Sequence, residues 1–117
     1  MIRPALDGIS VYLCVEPVDF RKQINGLSMM VESQLSMSPL SSAVFAFTNR
    51  RRDRVKLLVW ERNGYVLWLK RLEQARFCWP KAETPVITLT GQELNWLLDG
   101  LDLRFSRPHA ALHYEVG

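Results

Sequence analysis

Apolar positions recur along this chain with two different periods, and the switches between them outline a fold. Ile9 to Val15 (ISVYLCV) is a short run rich in β-branched and aromatic residues, which predicts a strand. Glu16-Pro17 ends it, because proline removes a ladder donor and restricts the residue before it. Phe20, Ile24, Leu27, Val31 and Leu35 then recur at helical spacing as one stripe, predicting a helix from Phe20 to about Leu35 with Asp19 as N-cap. Gly26 weakens that helix by about 1 kcal/mol relative to alanine and is expected to mark close packing against the sheet. Ser36 to Ser42 (SMSPLSS) reads as loop, and Val44 to Thr48 (VFAFT) as a strand with Phe45 and Phe47 on one face and Ala46 on the other.

Two apolar runs follow, Val55 to Trp60 and Tyr65 to Leu69, on either side of Asn63-Gly64. That dipeptide between two such runs is a strong hairpin signal, since a type I′ turn needs positive φ at both central residues. A two-residue loop at Asn63-Gly64 sets Trp60 opposite Leu67, Leu58 opposite Leu69 and Lys56 opposite Arg71. On the other surface Val59 meets Trp68 and Leu57 meets Lys70. Leu72 to Pro80 is expected to be a turn or short helical piece, with Phe77 and Trp79 packing inward. Val86 to Leu89 (VITL) is a last short strand. Thr90 and Glu93 make a capping box opening a helix whose apolar face is Leu94, Leu97, Leu98 and Leu101, with Gly100 as its C-terminal cap. Periodicity is lost from Arg104 onward. The expected architecture is α+β: a mainly antiparallel sheet built on a central β-hairpin, with two helices packed mostly on one face. Residues 1–103 form a single domain and 104–117 a loosely ordered tail.

Composition adds limits. A chain of 117 residues is long enough for one domain with a real core, and 48% apolar and 23% charged residues exclude general disorder. Cys14 and Cys78 form no spaced framework and read as buried thiols of a reducing compartment. MIRPALDGISVYL lacks the unbroken apolar core of a signal peptide, and no apolar run reaches membrane-spanning length, so a cytoplasmic protein without a membrane partner is expected.

Charge changes the picture more. The net charge is +3, but ten lysines and arginines stand against three acids between Arg50 and Lys81, leaving +7 there and −4 elsewhere. Four arginines (Arg50, Arg51, Arg52 and Arg54) share their stretch with the single acid Asp53, so they belong at an exposed loop tip. With Lys56, Lys70, Arg71 and Arg76 they compose a candidate nucleic-acid surface, cations neutralising phosphates. Arg21 and Lys22, in what reads as a first helical turn, oppose the macrodipole; they are either two solvated cations or a second phosphate site.

Catalytic chemistry has little to stand on. There is no phosphate-binding glycine loop, dinucleotide fingerprint or nucleophile elbow. Asp7, Asp19, Asp53, Glu61 and Asp99 are scattered, where a metal-dependent nuclease needs converging carboxylates. His109 and His113 lie four apart, but no third ligand stands near them in sequence. No catalytic residue, metal or cofactor is expected.

Three strings carry a family resemblance: VYLCVEPVDFRKQINGL, FTNRRRDRVKLLVWERNGYVLWLKRLEQARFCWP and ITLTGQELNWLLDGLDL. Their order and spacing resemble the TnpB (second open reading frame) accessory protein of the "sixty-six" class of bacterial insertion sequences, over about Ile9 to Leu103. The resemblance implies a small non-enzymatic protein encoded beside a separate transposase that holds the catalytic residues. Its expected partners are DNA at the ends of the insertion sequence and that transposase. The alternative is an adaptor that docks on the transposase, or on another copy of itself, through Trp60, Tyr65 and Leu67 without touching DNA.

Overall fold

The computed structural model describes residues 3–106 and 115–116. In chain order the elements are β1 (Ser10–Cys14), α1 (Ile24–Ser33), β2 (Val44–Thr48), β3 (Arg54–Glu61), β4 (Gly64–Arg71), β5 (Pro80–Lys81), β6 (Val86–Thr90), α2 (Gly91–Leu98), α3 (Leu103–Ser106) and β7 (Glu115–Val116). Five strands make the main sheet in the order β4-β3-β2-β1-β6. Only β1 and β2 are parallel, joined through α1; every other neighbour in this sheet is antiparallel. The α+β class and the mostly antiparallel sheet are as the sequence predicts. Short β5 and β7 pair apart from it, and residues 107–114, with His109 and His113 among them, lie outside the described residues.

The helices are distributed differently from the expectation. All five residues of β2 are buried, and its alternation divides two cores. Val44 and Ala46 join Leu13, Leu57, Trp79, Leu94, Leu97 and Leu103 beneath α2 and α3. Phe45 and Phe47 join Leu27, Val31 and Leu58 beneath α1. One helix therefore covers one face and two cover the other, because a strand apolar on both sides needs cover on both sides. The hairpin β3–β4 is not central either: β4 is an edge strand, and β2 holds the middle.

The hairpin also pairs in a different register. Glu61 faces Gly64, Trp60 faces Tyr65, Leu58 faces Leu67, Lys56 faces Leu69 and Arg54 faces Arg71, so the loop is Arg62-Asn63, with Arg62 at φ +56°. The pairing is displaced by two residues from the one expected. Since side chains alternate with period two, such a shift keeps every residue on its own face, and the apolar pattern cannot tell the two registers apart. What the observed one gains is an edge-to-face contact between Trp60 and Tyr65, ring centres 5.0 Å apart. It also gains a ladder that continues past the strand ends, where the Leu72 amide donates to the Asp53 carbonyl at 2.8 Å.

Local signals at the other end of the chain hold. The Thr90–Glu93 capping box opens α2, with Glu93 N–H donating to Thr90 Oγ1 at 3.1 Å and Thr90 N–H to Glu93 Oε1 at 2.8 Å. Gly100 takes φ +89°, its amide donates to Leu97 and the Leu101 amide to Trp96, which closes the helix. Leu101 itself is exposed. Phe77 and Trp79 are buried as predicted, on an irregular segment that bends at Glu73-Gln74 and has no helical piece, and Trp79 Nε1–H donates to the Cys14 carbonyl at 3.0 Å. Gly26 does not approach the sheet; a Cβ there would meet the Lys22 side chain at 3.2 Å. The glycine that close packing does require is Gly91, where a Cβ would fall 1.9 Å from the Leu6 carbonyl oxygen.

Candidate nucleic-acid interface

At one end of the sheet β1, β2 and β4 finish and β3 begins. The connection from β2 to β3, Asn49 to Asp53, is a built loop. The Arg52 amide donates to the Asn49 carbonyl at 3.1 Å, and Arg52 sits at φ +60°. The Asn49 side chain spans the loop: Nδ2 donates to Asp53 Oδ1 at 2.6 Å, and Oδ1 accepts from the Arg54 amide at 3.1 Å. Thr48 Oγ1 donates to the Arg54 carbonyl at 2.9 Å. Asparagine suits this work because its short amide both donates to and accepts from nearby groups. With the backbone occupied in this way, Arg50 and Arg51 are left exposed and Arg52 half-buried. Asp53, the loop's one acid, is held below the usual carboxylate range first by the Asn49 hydrogen bond, then by the charges of Arg51 and Arg54.

Two neighbouring segments are tied to this loop. After β4, the Leu72 amide donates to Asp53 O and the Phe77 amide to Arg52 O, both at 2.8 Å, which brings exposed Arg76 beside the arginines. Arg71, the last residue of β4, faces Arg54 and forms an ion pair with Glu73 at 2.8 Å. On the other side, the Val18 amide donates to Thr48 O at 2.8 Å, drawing the connection between β1 and α1 to the same end. Arg50, Arg51, Arg52, Arg54, Arg71, Arg76 and the turn carrying Arg21 and Lys22 are thereby gathered at one end of the sheet. Lys81, not among the expected contacts, joins them: it lines a cleft with Arg52, Glu16 and Trp79.

Two of the expected contact residues are turned inward. Lys56 is 4% exposed, and its Nζ donates to the carbonyls of Phe20 (2.9 Å) and Lys22 (2.8 Å) while lying 4.6 Å from the centre of the Phe20 ring. Burial pushes its pKa down, as does the charge of Arg54, with Asp19 opposing. Lys56 is thus a strut that fixes the Arg21–Lys22 turn to β3. Lys70 is half-buried on the opposite face, where Nζ donates to the Leu98 carbonyl at 2.8 Å, a cation at the negative end of α2.

Arg21 and Lys22 are also placed differently from the expectation. The Asp19 carboxylate accepts from the Arg21 amide at 2.9 Å and from its guanidinium at 2.6 Å, and the Lys22 amide donates to Asp19 O. This turn delays α1 to Ile24, with Gln23 at the N-cap and no side-chain cap, so both cations precede the helix. The Arg21 hydrogen bonds lower the Asp19 pKa to about 2.

At the far half of the hairpin Trp60, Tyr65 and Leu67 are half-buried on the face that α1 covers. The exposed apolar residues of β4 are Val66 (48%) and Leu69 (56%). Among the described residues no group of three or more His, Cys, Asp and Glu could hold a metal ion. No helix among them is long and apolar enough to cross a membrane.

Residues 9–108 match the sequence model of a family described as IS66 Orf2 like protein. Two relatives come from Sinorhizobium fredii (strain NBRC 101917 / NGR234). Uncharacterized protein y4jC is 33% identical over 102 residues, covering 87% of this chain and 86% of its own length. Uncharacterized protein y4hO is 31% identical over 101 residues, covering 86% and 88%. No solved structure matches.

Proposed function

The chain belongs to the IS66 Orf2-like family of insertion-sequence accessory proteins, and from that premise we propose that it binds DNA through the basic end of its sheet, without catalysing strand chemistry itself. The observation that supports this reading is the concentration of Arg50, Arg51, Arg54, Arg71 and Arg76 on exposed backbone tied together by hydrogen bonds. Clustered cations repel one another, and Glu73 and Asp53 are the acids set among them; phosphates relieve the rest. Three rings at this end are engaged within the fold: Phe77 and Trp79 are buried and Phe20 lies against Lys56. With these three rings engaged within the fold, contact with the duplex backbone suits the basic end better than stacking on an unpaired strand. Titration of a duplex carrying the element's end against increasing salt tests this. Affinity falling steeply with salt, with duplex preferred over single strand of equal length, is expected; absent or salt-independent binding contradicts it.

A second reading draws on the edge of β4, an eight-residue edge strand presenting Val66 and Leu69. The chain would there dock on the transposase or a second copy, beside Trp60, Tyr65 and Leu67. Capture of the transposase by a chain lacking the loop arginines, lost on Val66→Lys, favours it; capture that needs the arginines counts against it.

A further inference from the structure

Arg54 and Arg71 face each other directly across β3 and β4 on the same face, and both are exposed. Like charges set opposite in a ladder are destabilising. A pair at strand ends ordinarily escapes by fraying, but here the ladder is held beyond it. The Leu72 amide bonds Asp53 O, the Arg54 amide bonds Asn49 Oδ1, and the Arg54 carbonyl accepts from Thr48 Oγ1. Buried Lys56 lies two residues further along the same face and adds a third positive charge. Glu73 accompanies only Arg71, on an exposed ion pair that water and salt weaken. The Asp53 charge also bears on Arg54, without an ion pair between them, and the fold fixes two guanidinium-bearing positions side by side.

We propose that Arg54 and Arg71 form a clamp for a single phosphate group, both guanidinium forks engaging the oxygens of one phosphodiester. This rests on the duplex-binding reading and sharpens it: the surrounding arginines supply a general field, while this pair fixes where one phosphate sits. Guanidinium suits the role because its planar donors match phosphate oxygens two at a time.

The clamp predicts coupling, which separate cations do not. Arg54→Gln, Arg71→Gln and the double variant are compared in two assays, with circular dichroism checking the fold. In thermal unfolding, inorganic phosphate at fixed ionic strength (chloride as balance) raises the midpoint of the wild type and not that of any of the three variants. In duplex binding, each single variant weakens affinity about tenfold, the worth of about one hydrogen bond to a charged group, and the double variant is little weaker than either single. Losses that multiply in the double variant overturn the clamp. So does phosphate stabilisation that survives in the single variants or is missing from the wild type. Phosphate stabilisation confined to the wild type, together with no duplex binding by any chain, leaves the clamp standing for free phosphate and removes the duplex reading instead.

Discussion

Lys56 separates charge that builds the fold from charge that faces outward. Its ammonium group bridges two backbone carbonyls, of Phe20 and Lys22, and is 4% exposed. Lys56→Met removes both hydrogen bonds and leaves those acceptors unpaired, so stability should fall by about 1–3 kcal/mol in denaturant unfolding. The salt dependence of duplex binding should not change; a flatter slope would return Lys56 to the contact surface. Gly91→Ala should be severe, since a Cβ placed 1.9 Å from the Leu6 carbonyl forces backbone to move, and the thermal midpoint should fall by several degrees. The two thiols should differ as well. Cys14 is 4% exposed, and burial lifts its pKa to about 11 from an ordinary 9.0. Cys78 is half-buried. A thiol reagent at pH 8 should label Cys78 in the native protein and Cys14 only on unfolding. The sign for stability follows: the benefit of a neutral Cys14 is complete below pH 9 and is lost as pH rises through about 11.

At the scale of elements, what sequence reveals depends on how local the cause is. The capping box of α2 and its glycine stop were legible because each is decided within a few residues. Thr90→Ala should cost about 1 kcal/mol, with Thr90→Ser close to wild type, as measured by denaturant midpoint. The hairpin was legible as a hairpin but not in register, since a displacement by two residues leaves Trp60, Leu58 and Lys56 on the same face. The start of α1 was misplaced because Asp19, a good N-cap by type, folds back on Arg21 instead. The stripe of a helix reveals that it packs, not on which side of the sheet. The sign of two-sided cover lay in VFAFT, whose apolar residues occupy both faces of β2. In the candidate site, the exposed arginine loop could be read from its density of charge. The inward turns of Lys56 and Lys70 could not, because their acceptors lie 28 or more residues away in sequence.

As a whole the molecule is a sheet with helices on both faces and a strongly basic end. The two faces carry separate cores, and the sheet ends in two edge strands, β4 and β6. The basic end is shaped by backbone hydrogen bonds and by Asn49, which order the loop from which its arginines project. The most direct test is the slope of log affinity against log salt for an end-bearing duplex, compared between wild type and the chain with Arg50, Arg51 and Arg52 all changed to Gln. Each neutralised phosphate adds about 0.9 to that slope, so the variant should be flatter by about one unit for every phosphate it no longer engages, with its unfolding midpoint retained. An unchanged slope in a folded variant, or a wild type that does not bind the duplex, would contradict the account.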